Sequence, residues 1–150
     1  MDYYSIIKKL KGHLTIPSPV SEISTNWISE HNSNILLKRD DLIHPIISGN
    51  KWRKLSGILA KNRSSDYDSL ITFGGAYSNH LLAVAAVCSI LKIRCKAFVR
   101  GEAPKTLNAV LKMCKMYGME LAFISRENYQ KSNRKSGVFE RTLFIPEGGA

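Results

Sequence analysis

The amino-acid sequence predicts an α/β protein: a three-layer, parallel open sheet with flanking helices. Three observations carry this. Ser69-Leu70-Ile71-Thr72-Phe73 is a continuous apolar run without polar alternation, as expected of a strand covered on both faces. Residues 79–91 are apolar at nearly every position, which marks a helix buried all round. Strand-like and helix-like segments alternate along the chain, and parallel strands need such helical crossovers.

The elements follow in order. Residues 1–34 read as a polar lead-in in which Pro17 and Pro19 impose extended backbone. Ile35 to Arg39 is a short strand, and 40–50 a loop carrying Pro45 and Gly49. Lys51 to Asn62 is a helix with Leu55, Ile58 and Leu59 on its apolar stripe. After the strand 69–73, Gly74-Gly75 breaks the run, and Ser78 or Asn79 caps the helix 79–91. Arg94 to Val99 is the next strand. Ala103 to Tyr117 is expected to be helical, with Leu107, Val110, Leu111 and Cys114 on one face and Gly118 as its stop. Strands at 120–125 and 142–145 flank a polar segment, 127–136, with short-helix character, and Pro146 and Gly148-Gly149 end the last strand.

The 150 residues suffice for one core, and 44% hydrophobic with 23% charged residues is an ordinary globular balance. The net charge of +10 invites a nucleic-acid reading. The cations are scattered, however, and the clusters Lys8-Lys9-Lys11, Lys51-Arg53-Lys54 and Lys131-Arg134-Lys135 lack the interleaved aromatics of a base-stacking surface. No nucleic-acid partner is expected. Cys88, Cys95 and Cys114 have no metal-ligand spacing and read as buried free thiols, which places the protein in the reducing cytoplasm. Met1 to Leu10 is polar and does not resemble a signal peptide, and the longest apolar stretch, 81–87, is too short for a bilayer. His13, His31 and His44 lack partners at ligand spacing, so no metal site is expected. Asp40 and Asp41 read as carboxylates paired with neighbouring cations such as Arg39.

The chemistry concentrates at two strand-to-helix junctions. At the first, Lys51 stands in Ser48-Gly49-Asn50-Lys51-Trp52-Arg53-Lys54 at a helix start. The positive end of the helix, with Arg53 and Lys54 beside it, favours a neutral amine, the form that attacks a carbonyl. The same field attracts a phosphate. At the second, Gly74-Gly75-Ala76-Tyr77-Ser78-Asn79-His80 offers first-turn amides and a serine hydroxyl to a carboxylate or a phenolate-like oxygen. Neither junction carries the dinucleotide fingerprint, a phosphate loop ending in Gly-Lys-Ser/Thr, or the Gly-x-Ser-x-Gly of a hydrolase.

Lys38-Arg39-Asp40-Asp41-Leu42, Ser48-Gly49-Asn50-Lys51 with Arg53-Lys54-Leu55, and Gly74-Gly75 with Ser78-Asn79-His80 together resemble the 1-aminocyclopropane-1-carboxylate deaminase and D-cysteine desulfhydrase family. These are pyridoxal-phosphate enzymes of the tryptophan-synthase-β fold type. The resemblance implies Lys51 as the Schiff-base lysine and Asn79 as partner of the cofactor's ring hydroxyl. It implies Ser78 as nucleophile or carboxylate contact, Lys54 near the phosphate, and His80 beside the substrate. It also implies that residues 1–49 begin a large domain, that 50–145 form the small domain, and that 146–150 return to the large one. The phosphate cradle, the partner of the pyridine nitrogen and the deaminase tyrosines are expected beyond Ala150. Activity on a small amino acid, in a homodimer, is therefore expected of a longer protein and not of these 150 residues alone. A non-catalytic α/β module is the alternative expectation.

Overall fold

A computed structural model describes residues 8–31, 33–62, 67–132 and 136–149. A helical segment at residues 8–10 (α1) leads to strand β1 (Val20–Ile23), helix α2 (Asn26–Glu30) and strand β2 (Ile35–Lys38). A 3-10 turn follows at Asp40–Leu42, then helix α3 (Gly49–Lys61). The alternation continues with β3 (Ser69–Gly74), α4 (Asn79–Leu91), β4 (Arg94–Arg100), α5 (Ala109–Met116), β5 (Glu120–Ile124) and α6 (Arg126–Ser132). The hairpin of β6 (Gly137–Phe139) and β7 (Thr142–Ile145) and a 3-10 turn at Glu147–Gly149 complete it.

The main sheet has the order β5-β4-β3-β7-β6. β3 is central and runs parallel to both β4 and β7, with Leu70 opposite Cys95 on one side and Leu143 on the other. β5 is parallel to β4, and only the edge strand β6 runs antiparallel, beside β7. Glu140 and Arg141 join β6 to β7 with positive φ at both positions, 46° and 61°, the conformation of a two-residue hairpin turn. β1 and β2 form a separate antiparallel pair.

Side-chain alternation along β3 separates the faces. Thr72 touches His80 of α4, so even positions face α4. Phe73 packs edge-on against Tyr129 of α6 at 6.1 Å and stacks on Phe98 at 5.5 Å, so odd positions face α6. Helices therefore flank the sheet on both sides. The main core joins Trp52, Leu55 and Leu59 of α3 to residues 83–88 of α4 and to Leu70, Ala97, Val99, Leu111, Leu143 and Ile145. Burying side chains of this size contributes about 1.5–3 kcal/mol each, which explains why α4 carries almost no polar residue.

Two expectations need correction, and a third, the short helix of the polar segment, holds. The lead-in contains regular structure: β1 pairs with β2 from Val20↔Lys38 to Ile23↔Ile35, and the Thr25 hydroxyl accepts from Ile28 N at the start of α2. The helix expected from Ala103 begins only at Ala109. Asn108 is worth more there as a cap than inside a helix: its Oδ1 accepts from Leu111 N at 2.9 Å while its Nδ2 donates to Ala76 O at 2.9 Å. The polar segment is helical over Arg126–Ser132, and residues 133–135 of the expected element lie outside the described residues.

The acidic pair behaves as expected. Arg53 donates through Nε and Nη2 to the two carboxylate oxygens of Asp40, both at 2.8 Å, and the Ser18 hydroxyl adds a bond at 2.5 Å. These bonds hold the Asp40 carboxyl down to about 2. Arg39 pairs with Asp41 at 2.7 Å. All three cysteines are free and buried.

Candidate functional site

The second junction is shaped by close approach. β3 ends at Gly74, and Ser78 N donates to Gly75 O at 3.0 Å, closing a tight turn into α4. A Cβ on Gly74 would stand 2.7 Å from Leu81 Cγ and 2.9 Å from Ser78 Oγ, so only glycine lets α4 start this near the strand. Ser78 is the N-cap: its Oγ accepts from Leu81 N at 3.4 Å. The hydroxyl proton is then left to donate outward, next to first-turn N–H groups that have no partner within a helix. Asn79 is exposed at this mouth.

At the first junction, Lys51 N donates to Ser48 O at 3.2 Å and sets the lysine in the first turn of α3. Trp52 and Leu55 point into the core, which leaves Lys51 half-buried and Lys54 exposed. Lys54 Nζ donates to Gly148 O at 3.2 Å. Gly149, at φ 69°, fits between α3 and α4; a Cβ there would lie 3.4 Å from Ile58 Cδ1 and 3.6 Å from both His80 Cε1 and Lys54 Cβ. The turn after β7 thus bridges the two junctions.

His80 turns inward beneath them and is 7% exposed. Thr72 Oγ1 donates to Ile145 O at 3.0 Å and lies 2.9 Å from His80 Nε2. A hydroxyl has one proton, so the ring must donate from Nε2 and keep Nδ1 as an acceptor. Burial first, and then the positive charges of Lys54 and Lys51 against the opposing charge of Glu147, hold His80 down to about 4. That both lysines act on His80 places the Lys51 amine and the start of α4 on the same side of the molecule.

The carboxyl end of β4 adds Arg100. Its Nη1 stands 3.8 Å from Glu147 Oε2, and its guanidinium lies over the Tyr129 ring at 5.3 Å. Gly75, Ala76, Tyr77, Ser78, Arg100 and Glu147 line an open depression of about 440 Å³. A larger depression of about 610 Å³, lined by Ile71, Phe139, Glu140, Thr142 and Phe144, has no cation facing it among the described residues. The location agrees with the rule that open α/β sheets bind ligands outside the carboxyl ends of their strands.

Lys51, Lys54, Ser78, Asn79 and His80 therefore all belong to one end of the sheet. Sequence reasoning missed Thr72, Arg100, Tyr129 and Glu147. Arg100 and Glu147 each follow a strand's carboxyl end, a signal available in the sequence. Thr72 sits in an apolar run and gives none. Among the described residues no cluster of metal-ligating side chains occurs, and no helix is long and apolar enough to cross a membrane.

Known proteins resemble this chain in sequence and fold. A putative 1-aminocyclopropane-1-carboxylate deaminase of Thermotoga maritima is 34% identical over 144 residues, covering 89% of this chain and 45% of its own length. A D-cysteine desulfhydrase of Klebsiella pneumoniae is 36% identical over 86 residues, 57% of this chain and 26% of its own. The crystal structure of an ACC deaminase homologue superposes with a TM-score of 0.65 at 25% identity, over 96% of this chain and 47% of that one. The chain spans less than half the length of each of these relatives. The model of the family described as pyridoxal-phosphate dependent enzyme matches residues 15–143, and the chain belongs to that pyridoxal-phosphate-dependent family.

Proposed function

We propose that this chain carries one wall of a pyridoxal-phosphate-dependent deaminase or lyase acting on a small amino acid. The substrate would be D-cysteine, giving pyruvate, ammonia and hydrogen sulfide, or 1-aminocyclopropane-1-carboxylate, giving 2-oxobutanoate and ammonia. The observation that supports it is the pairing of a half-buried lysine with an open helix start at one end of the sheet, with the turn after β7 packed between their helices. The site fits such a guest: Gly75 lines the depression without a side chain, so a planar ring can approach the backbone there.

Lys51 would hold the cofactor through its amine and afterwards move a proton at the substrate's α-carbon. Asn79 would donate to the ring hydroxyl oxygen, and Lys54 would face the phosphate. Ser78 Oγ–H, with the N–H groups of Asn79 and His80, would take the substrate carboxylate. Bound there, the cofactor supplies an electron sink for charge developing at the α-carbon. 1-Aminocyclopropane-1-carboxylate has no α proton, so its ring opening needs a nucleophile or removal of a β proton, and Ser78 then matters more. We assign residues 50–145 to a small domain, 1–49 and 146–150 to a larger one, and the protein to a cytoplasmic homodimer without nucleic-acid partners.

Borohydride reduction after incubation with pyridoxal phosphate, followed by peptide mapping, tests this. The label is expected on Lys51 and absent from Lys51→Ala. Equal labelling of Lys51→Ala would falsify the assignment.

One observation favours a second reading, a non-catalytic module that docks elsewhere. The β1–β2 pair and α2 expose Val20, Trp27, Leu36 and Leu37, apolar surface that ordinarily marks a contact. Sizing that finds a stable complex but no cofactor labelling would support it.

A further inference from the structure

We propose that Arg100 is the charged anchor for the substrate carboxylate, parked on Glu147 in the empty site, and that Tyr129 takes over Glu147 when Arg100 leaves it. The substrate half of this rests on the amino-acid chemistry proposed above.

Four observations converge. Arg100 and Glu147 face the same depression as Ser78, so an anion at the cap lies beside the guanidinium. Their separation of 3.8 Å exceeds hydrogen-bond range, and both side chains are more than a third exposed, so the pair is weak and easily exchanged. Gly75 leaves room for the movement: a Cβ there would meet only Arg100 Nη2, at 3.5 Å. Finally, the Tyr129 hydroxyl is buried, in a residue only 1% exposed, and makes no hydrogen bond of full geometry in the empty site, although it approaches Glu147. A native structure rarely leaves such a group unsatisfied without a use for it.

Burial, then a hydrogen-bonding approach to Glu147 and the charge of that carboxylate, push the Tyr129 hydroxyl well above its ordinary value, so it remains a donor already within reach of Glu147. It faces a carboxylate whose present partner is a mobile cation. Arg100 can swing to an incoming carboxylate, forming charge-assisted bonds of planar geometry. Glu147 would then be left without its cation, and the phenol supplies a replacement hydrogen bond. The site thus exchanges one loose ion pair for one strong ion pair plus a completed Tyr129–Glu147 hydrogen bond. Arg100 touches substrate; Tyr129 and Glu147 are positioning residues.

The test titrates the chain with 1-aminocyclopropane-1-carboxylate, followed through the amide resonances of Ser78 to His80 and the Nε–H of Arg100. Cyclopropylamine, which lacks the carboxylate, is the control. Loss of a charge-assisted bond predicts that Arg100→Gln weakens binding by about tenfold or more, with Arg100→Lys recovering part of it. Glu147→Gln is expected to tighten binding about threefold by releasing Arg100 from an exposed pair. Tyr129→Phe is expected to weaken binding while its thermal midpoint stays level or rises, since removing an unpaired buried hydroxyl costs the fold nothing. A merely structural tyrosine would lower the midpoint instead. Binding by Arg100→Gln within a factor of about two of wild type overturns the anchor, as does an equal response to cyclopropylamine or no titration in the wild type. Borohydride labelling of Lys51 on the same proteins separates the two ideas. Unlabelled wild type with an Arg100-dependent titration removes the cofactor reading and leaves the anchor standing. Labelling lost only in Arg100→Gln, with amino-acid binding intact, assigns Arg100 to the cofactor phosphate and overturns the anchor.

Discussion

Acid should destabilise this protein through His80 more than through any surface carboxylate. The ring is 7% exposed, held near 4 by burial and by Lys54 and Lys51, and it donates from Nε2 to Thr72. An unfolded histidine titrates near 6.5. The folded value is the lower one, so the unfolded state takes up the proton first as pH falls. The His80 contribution is therefore complete above about pH 6.5 and is lost progressively from there down toward 4. At pH 5 the unfolded ring is almost fully protonated and the folded ring almost not. The difference between pH 7 and pH 5 comes to about 2 kcal/mol, from about 1.4 kcal/mol per pH unit below the unfolded value. Urea unfolding at pH 7, 6 and 5 on wild type and His80→Gln measures it. The wild type should lose about 2 kcal/mol more than the variant across this range, because every other titrating group is common to both. Parallel loss in the two proteins would show that His80 is not buried neutral, and the hydrogen-bond assignment at Thr72 would fall with it.

Two further outcomes follow from packing. Thr72→Val keeps the shape of a fully buried side chain but strands His80 Nε2–H and Ile145 O, so urea unfolding should show a loss of about 2–4 kcal/mol. Gly74→Ala forces its methyl to within 2.7 Å of the buried Leu81 Cγ and should cost about 1–3 kcal/mol, with Lys51 labelling reduced as the start of α4 shifts. Gly75→Ala meets only Arg100 at 3.5 Å, an ordinary contact, and should stay within about 0.5 kcal/mol of wild type by thermal unfolding.

The parallel core was legible because burial on both faces writes itself into composition. β3 and α4 are apolar over most of their lengths, as segments covered on every side must be. The placement of Lys51, Ser78 and Asn79 at helix starts was legible because each follows a glycine break by a few residues. The start of α5 was misplaced because Asn108 scores as a tolerable helix residue. Its worth as a cap depends on Ala76, more than thirty positions earlier. β1 was hidden because Ser21 and Glu22 break its apolar pattern and its partner strand is exposed throughout. Thr72 was invisible for a related reason. One hydroxyl in an apolar strand looks like a tolerated residue until the fold brings His80 and Ile145 to it.

The buried and open polar groups at this end of the sheet divide the work. Beneath the surface, Thr72 and His80 satisfy each other and Ile145 O without a net charge, so the interior bears no unpaired ion. Above it, Lys51, Lys54 and Arg100 bring positive charge to the mouth, and Glu147 offsets part of it. A phosphorylated aldehyde together with an amino-acid carboxylate would bring the anions that this excess of cations lacks. If His80 were protonated, its charge would be fixed and buried, and would compete for those anions from a place where no ligand can reach it. Keeping His80 neutral leaves attraction to the groups that can move, which is what the proposed attachment at Lys51 and the proposed exchange at Arg100 would require.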